Sequence, residues 1–426
     1  MSIPGKETQQ APPPAPEEPR VAPSGFSELQ AQLREWREAV DRRIPPWTSR
    51  VMPFVLVALA IVLPFAFSTD SGFIDATIKA VALAVMALGL NIVVGFAGLL
   101  DLGYVAFYAI GAYTLGWFGS DFFFKARVHV LVHGVAAAET GIHLNFILIL
   151  IAAAIICAIA GTIIGLPTLR LRGDYIAIVT LAFGEIIGEV AVNGTDIHLG
   201  GGMTLTAGNL GISAVDSPYF PGVGQFNLLQ LRPWYWLILG ILLLVLFVNV
   251  RLRDSRLGRA WIALREDEVA AVSMGIPLVK TKLQAYAIGA AFGGMSGAFI
   301  GTYFTTVNAG QFAFGFSVLI LSMVIIGGIG SIAGALVGGL LLGYINYWLL
   351  PSVLNNAPSK FGLNFQLTSV QFGIYGFLLV IVMILRPQGL IPERRRKLEM
   401  TGAVTPGLGE AELAEPTPEM NIGAIE

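Results

Sequence analysis

Long apolar segments recur along the chain between residues 51 and 385, and short polar or charged stretches separate them. Most of these segments approach the roughly 20 residues that an α-helix needs to cross a hydrocarbon core. This recurrence excludes a soluble domain with a single anchor. The pattern predicts about ten transmembrane or broken helices, at Val51 to Phe67, Ala76 to Val94, Ala97 to Gly119, Asn145 to Leu166, Tyr175 to Val192, Trp234 to Val250, Leu283 to Phe304, Phe316 to Ile329, Ile332 to Leu350 and Val370 to Leu385.

Both ends of the chain lack this apolar pattern. Residues 1–50 are predicted to form a cytoplasmic N-terminal tail, and residues 393–426 a disordered cytoplasmic C-terminal tail. The first 23 residues are rich in Pro, Gln and Glu and lack the apolar region of a cleavable signal peptide. Four apolar residues of the N-terminal tail recur at helical spacing, namely Leu29, Leu33, Trp36 and Val40. Their spacing fits either an amphipathic helix at the membrane surface or a solvated helix.

The composition agrees with a membrane protein. The 426 residues are 55% hydrophobic and 13% charged, with a mean hydropathy of +0.72. This apolar content exceeds what a soluble core of that size buries, so we predict an all-α polytopic membrane protein with a transmembrane domain at residues 51–392. Glycines recur at every fourth position in the seventh predicted span and indicate a ridge for close helix packing, at Gly289, Gly293, Gly297 and Gly301.

The distribution of Lys and Arg predicts the orientation of the chain in the membrane. Cytoplasmic loops carry an excess of these residues. An even number of spans, with both termini in the cytoplasm, places most of the basic positions on one side. The basic residues on that side are Arg42, Arg43, Arg50, Arg170, Arg172, Arg251, Arg253, Arg256, Arg259, Arg265, Lys280, Lys282, Arg386, Arg394, Arg395, Arg396 and Lys397.

The loop at residues 251–282, between the sixth and seventh predicted spans, is the most informative segment. Its apolar stripe fits a helix that docks into a partner's groove, and it also fits an amphipathic helix at the membrane surface. The residues of this stripe are Trp261, Ile262, Leu264, Val269, Ala270 and Val272. Glu268 to Ala271, followed by Gly275, resembles the EAA-then-Gly coupling loop that importer permeases insert into their ATPase subunits.

The chain lacks the phosphate-binding pattern G-x-x-x-x-G-K-[ST], whose backbone amides and lysine neutralise phosphate charge. Energy for transport is therefore expected from a partner subunit or from an ion gradient.

Three glycines, Gly95, Gly98 and Gly103, interrupt the apolar pattern between residues 95 and 113. The interruption predicts a broken helix. The hydrogen-bonding groups of irregular backbone at membrane depth must be satisfied by protein or must line a watery cavity, so the break is a candidate part of the translocation path. We name as candidate translocation-path residues Asn91, Gly95, Asp101, Tyr104 and Tyr108. Ordinary helix packing is an equally open interpretation for each of them.

Two acids, Glu185 and Glu189, lie one helical turn apart in the fifth predicted span and join the candidate translocation path. A proton-carrying role and a structural role at a subunit interface both remain open for them. Neither a metal site nor a cofactor is predicted. His129 and His133 are four residues apart but lack an adjacent carboxylate signature, so we expect them to be exposed to solvent.

Four motifs, in their order along the chain, resemble those of the branched-chain amino-acid ABC transporter permease family, specifically its larger M-type member. They read GLLDLGYVAFYAIGAY, LRLRGDYIAIVTLAFGEI, SRLGRAWIALREDE and GGIGSIAGALVGG, within a match from Ala76 to Pro392. The resemblance implies an importer of leucine, isoleucine or valine in a bacterial inner membrane, working by alternating access. Its implied partners are a homologous H-type permease, two cytoplasmic ATPases and a periplasmic binding protein, with no role for nucleic acid.

The resemblance also implies which residues contact an ATPase, namely Arg259, Arg265, Glu266, Asp267, Glu268, Ala270, Ala271 and Gly275. Two other functions stay open: a permease for urea or short amides, and a proton-coupled secondary transporter that uses Glu185 or Glu189. An enzyme is not expected, since the sequence holds neither a Ser/His/Asp arrangement nor a metal-ligand cluster at membrane depth.

Overall fold

The structure is a computed structural model, and it describes residues 48–68, 71–132, 138–169, 171, 173, 175–355, 366–386 and 388–392. The chain divides into two compact units, Met1–Leu63 and Pro64–Glu426. The described part of the first unit contains helix α1, Thr48–Val62. The N-terminal segment predicted as an amphipathic or solvated helix and the predicted C-terminal tail lie outside the described residues.

Helices dominate the second unit. Its α-helices are α2 Gly72–Leu90, α3 Val105–Phe118, α4 Phe146–Thr168, α5 Tyr175–Asn193, α6 Leu231–Asp254, α7 Arg256–Glu266, α8 Glu268–Ser273, α9 Leu278–Phe304, α10 Phe314–Gly327, α11 Ile332–Tyr344 and α12 Gln371–Leu385. Within the described residues, seven helical segments are long and apolar enough to cross a membrane, and three shorter apolar helices accompany them. The prediction of an all-α polytopic membrane protein is therefore confirmed.

The two long loops that follow α3 and α5 contain short strands. These are β1 Gly119–Ser120, β2 Arg127–Val130, β3 Gly141–Leu144, β4 His198–Gly200, β5 Met203–Thr204, β6 Ile212–Ser213, β7 Tyr219–Phe220 and β8 Gly224–Gln225, and β9 Thr306–Val307 follows α9. Strand β3 lies between β1, its antiparallel neighbour, and β2, its parallel neighbour. His129 lies in β2 and is exposed, as expected, whereas His133 lies outside the described residues.

The core of the second unit forms where α2 and α9 meet their neighbours. Helix α2 is buried along almost its whole length and packs against α6, α9 and α11, while α9 also packs against α3 and α4. The glycine ridge on α9 lies in these contacts, since a Cβ atom at Gly297 would lie 2.2 Å from the carbonyl oxygen of Tyr108. The prediction that these glycines serve close packing is confirmed.

The helix break predicted near Gly95 is present. Helix α2 continues as a π-helical turn over Asn91–Phe96, and the next helix begins only at Val105. The predicted start of this span at Ala97 is therefore wrong. The intervening backbone finds other partners: the amide of Leu102 donates to Thr180 Oγ1 over 3.0 Å, and that of Gly103 donates to Asp101 Oδ1 over 2.8 Å.

Candidate functional site

The loop between α6 and α9 forms two short helices, α7 and α8. Together with the turn at Met274 and Gly275 that follows them, we call them the coupling arm, residues 256–275. Side-chain caps explain why there are two helices. Ser255 caps α7 by accepting from the amide of Gly258, and Asp267 caps α8 by accepting from the amides of Val269 and Ala270. Asp267 has an extended backbone with φ of −151°, so the chain turns between the two helices at this residue.

The inner face of the coupling arm is fixed to the membrane domain. Trp261 is fully buried, at 0% exposure, and Leu264 and Ala271 are buried with it. The indole Nε1 of Trp261 donates to the carbonyl oxygen of Thr281 over 2.8 Å, at the start of α9. Part of the predicted apolar stripe therefore anchors the arm to its own chain.

Other residues of the stripe are exposed on the outer face of the arm. Val269 is 76% exposed and Val272 is exposed with it, and Met274, which the predicted stripe did not include, is 84% exposed. We call Val269, Val272 and Met274 the docking surface. Most residues of the predicted ATPase-contact set are exposed as well, namely Arg259, Glu266, Asp267, Glu268, Ala270 and Gly275. An apolar surface with a polar rim is typical of a protein-binding site.

Arg265 points from the arm toward the membrane domain. Its Nη1 donates to the carbonyl oxygen of Gly95, a carbonyl in the π-helical turn that follows α2. A Cβ atom at Gly98 would lie 2.7 Å from Cγ of Arg265, so any larger residue at this position would clash with the Arg265 side chain. The arm is thus bonded directly to the broken helix.

A second link joins the arm to α9. Lys282, whose side chain is only 6% exposed, forms an ion pair with Glu268 Oε1 at the start of α8. Removing one partner of such a pair would leave a buried charge uncompensated. Arg265 and Glu268, both predicted to contact an ATPase, therefore also hold the arm against its own membrane domain.

The predicted path residues near α3 are all buried inside the chain. Asn91 is fully buried, and its Oδ1 accepts from the amide of Gly330 over 2.9 Å. Tyr104 donates to the carbonyl oxygen of Gly289 over 2.7 Å, and Tyr108 packs against the rings of Phe312 and Phe316. In this conformation these residues make helix-to-helix contacts.

Glu185 and Glu189 do not join that buried group. Both lie exposed on α5 within this single chain, and Glu189 Oε2 accepts from Asn193 Nδ2 over 2.9 Å. Their surface is thus polar at the depth of a transmembrane helix. Charged groups in such positions usually face a protein neighbour or a hydrated cavity rather than lipid.

Comparison with known proteins identifies the family. A family model described as the branched-chain amino acid transport system / permease component matches residues 72–384. The chain belongs to this family. The permease is 33% identical over 374 residues to the LivM permease protein of the high-affinity branched-chain amino acid transport system of Salmonella typhimurium, covering 83% of this chain and 78% of the relative. The corresponding LivM protein of Escherichia coli matches with the same identity and coverage.

A LivH permease protein of the Salmonella typhimurium system is 26% identical to this permease over 323 residues, covering 72% of this chain and 90% of the relative. No solved structure matches. The expectations that the chain is a multi-pass membrane permease, and that it is not an enzyme, are confirmed by the family.

Sequence reasoning missed an ion pair inside the first long span. Lys79 Nζ lies 2.8 Å from Asp75 Oδ2 on α2, and Tyr303 donates to Asp75 Oδ1 over 2.6 Å. The rings of Phe304 and Tyr347 also lie against the ammonium group, at 5.3 and 5.6 Å from Nζ. An acid followed four residues later by a base in an apolar helix was the available signal.

Proposed function

We propose that this permease is one membrane subunit of an ATP-binding-cassette importer for branched-chain amino acids, and that the coupling arm binds its ATPase. The observation that carries the proposal is the two-sided arm. Buried Trp261 fixes one face to the membrane domain, while Val269 and Met274 expose apolar side chains on the other. A helix docked in a groove of another subunit has this division of its surface.

The same proposal includes a second permease. The LivH relatives support a homologous partner, because two permease proteins of one named system both resemble this chain. Helices α4, α5 and α12 bury little of their surface within the chain, and of these three only α5 carries carboxylates, Glu185 and Glu189. We place the partner and the hydrated translocation path along α5, since lipid would leave these carboxylates without solvation. A periplasmic binding protein and location in a bacterial inner membrane complete the proposal.

Transport would work by alternating access. Closure of two ATPases would move the coupling arm, and Arg265 would pass the movement to the carbonyl of Gly95 in the broken helix. From there Asn91 reaches the loop before α11 through the amide of Gly330. A helix already broken at Gly98 can pivot at its break, so one site is opened to each side in turn.

Replacing Arg265 by alanine should uncouple ATP hydrolysis from transport. In vesicles containing the complete transporter and its binding protein, we expect uptake to fall at least tenfold while basal ATP hydrolysis persists. Arg265→Lys should restore part of the uptake, because an ammonium group can still donate to the Gly95 carbonyl. Arg253→Ala is the matched control, since this exposed arginine pairs with the neighbouring Asp254 and belongs neither to the predicted ATPase-contact set nor to the link with Gly95. An unchanged ratio of substrate carried to ATP hydrolysed in Arg265→Ala would contradict the transmission role.

Uptake competition tests the substrate class. The names of the relatives favour branched-chain amino acids over urea or short amides. With the cognate binding protein present, unlabelled leucine or valine should suppress uptake of labelled isoleucine, and urea should not. Uptake should also depend on ATP and survive collapse of the proton gradient. Inhibition by urea alone, or uptake driven by the proton gradient alone, would contradict the proposed function.

A further inference from the structure

The sheet formed by β1, β3 and β2 lies at the end of the helix bundle away from the coupling arm. Arg265 of the arm contacts the backbone before α3, and α3 then runs from Val105 to Phe118, where β1 begins. The sheet register places Gly119 opposite His143 and Ser120 opposite Ile142. Asp121 follows β1 directly, and its Oδ1 lies 3.1 Å from Nε2 of His143.

Three side chains at this sheet converge. Asp121, Glu139 and His143 each offer one ligand atom, and the three atoms lie within 4.8 Å of one another. The two carboxylates are exposed, whereas His143 is only 2% exposed. Because metal bonds to such donors are about 2.0–2.2 Å long, small rotations of the two exposed side chains are sufficient to surround one ion.

The orientation of His143 is fixed from outside this group. Its Nδ1 lies 2.7 Å from Asp216 Oδ2, and the amide of Asp216 donates to the carbonyl oxygen of Gly119 over 2.8 Å. A histidine that donates from Nδ1 to a carboxylate presents its other nitrogen as a lone pair, the arrangement that supports metal-bound histidines in proteins. Asp216 therefore directs Nε2 of His143 toward Asp121 and Glu139.

Two oxygen acceptors lie beside Nε2 of His143. Asp121 Oδ1 lies 3.1 Å from Nε2 and the carbonyl oxygen of Thr140 lies 3.3 Å from it, and both are acceptors. A neutral ring that donates to Asp216 would thus present its lone pair to two further acceptors. A cation at this position, either a proton on Nε2 or a bound metal ion, satisfies both acceptors.

We propose that Asp121, Glu139 and His143 form a binding site for a divalent transition-metal ion of the Zn²⁺ type, with Asp216 as the positioning residue. One imidazole nitrogen and two carboxylate oxygens suit such an ion, and water would complete its coordination. Mg²⁺ and Ca²⁺ prefer sites made entirely of oxygen ligands. The ion would tie the segment before β3 to the end of β1 and to the loop that carries Asp216.

Zinc titration of the purified, complete transporter tests the site. After chelator treatment and its removal, isothermal titration with Zn²⁺ should show one high-affinity site for each copy of this chain, which millimolar Mg²⁺ or Ca²⁺ does not block. Asp121→Asn and Glu139→Gln should each weaken Zn²⁺ binding at least tenfold. Both side chains are exposed, so neither substitution disturbs the core. Zinc X-ray absorption should report one imidazole nitrogen among oxygen ligands.

Asp196→Asn is the control, because Asp196 is an exposed carboxylate in the loop after α5 and belongs to no part of the site. It should leave Zn²⁺ affinity unchanged. Equal Zn²⁺ affinity in the parent protein, Asp121→Asn and Glu139→Gln would overturn the proposal. Absence of Zn²⁺ binding to the parent protein would also overturn the proposal. The contacts of His143 with Asp121 and Asp216 would then be those of a protonated imidazole between two carboxylates.

Discussion

Replacing Val269 and Met274 together by aspartate is expected to abolish ATP-driven uptake and to release the ATPase from the purified permease. These side chains are 76% and 84% exposed, so their loss leaves the permease core intact. Burying two unpaired carboxylates in an apolar interface costs several kcal/mol. Since every 1.4 kcal/mol is tenfold in affinity, binding should weaken by at least about a hundredfold. The arm should stay folded, because a negative charge at position 269 lies in the first turn of α8.

Co-purification of the ATPase with tagged permease measures this loss, together with uptake into vesicles. The matched control is Leu210→Asp, which places a charge on a side chain that is 92% exposed in the loop between α5 and α6. That variant should retain the ATPase. A Val269→Asp, Met274→Asp double variant that still co-purifies with the ATPase and transports normally would contradict the proposal that this surface binds the ATPase.

Gly111→Ala should destabilise the permease strongly. Gly111 lies where α3 meets α9, and a Cβ atom there would lie 2.1 Å from the carbonyl oxygen of Gly294 and 2.5 Å from its Cα. These are backbone atoms, so the two helices would have to separate, at a cost of about 3 kcal/mol in the free energy of unfolding. Thermal unfolding in detergent, followed by size-exclusion chromatography, should show a lower midpoint and less monodisperse protein.

Gly240→Ala on α6 is the control for this prediction, because no atom lies within 4 Å of the Cβ that it would add. Alanine is the better helix former by about 1 kcal/mol, so this variant should be as stable as the parent or slightly more so. A Gly111→Ala protein that unfolds at the parent temperature would show that α3 and α9 do not pack as closely as described.

The helices of this permease follow from its amino-acid sequence. A transmembrane segment must satisfy its backbone internally, so a long apolar stretch such as residues 146–168 has one structural outcome whatever its neighbours are. The break between Gly95 and Gly103 was predictable for a related reason, since three glycines interrupt the apolar pattern there. The position of the coupling arm between two spans was likewise open to prediction, because charges within an apolar chain mark the loops.

Which side each residue of a helix faces depends on tertiary packing, which local spacing did not reveal. Spacing gave Trp261 and Val269 the same stripe, yet one anchors the arm and the other is exposed, because the cap at Asp267 separates their helices. The convergence of Asp121 and His143 also has no local signal, since these partners lie 22 positions apart and meet through strand pairing. Periodicity records that a residue is apolar or polar, whereas its contacts depend on segments that are distant in the chain and adjacent only after folding.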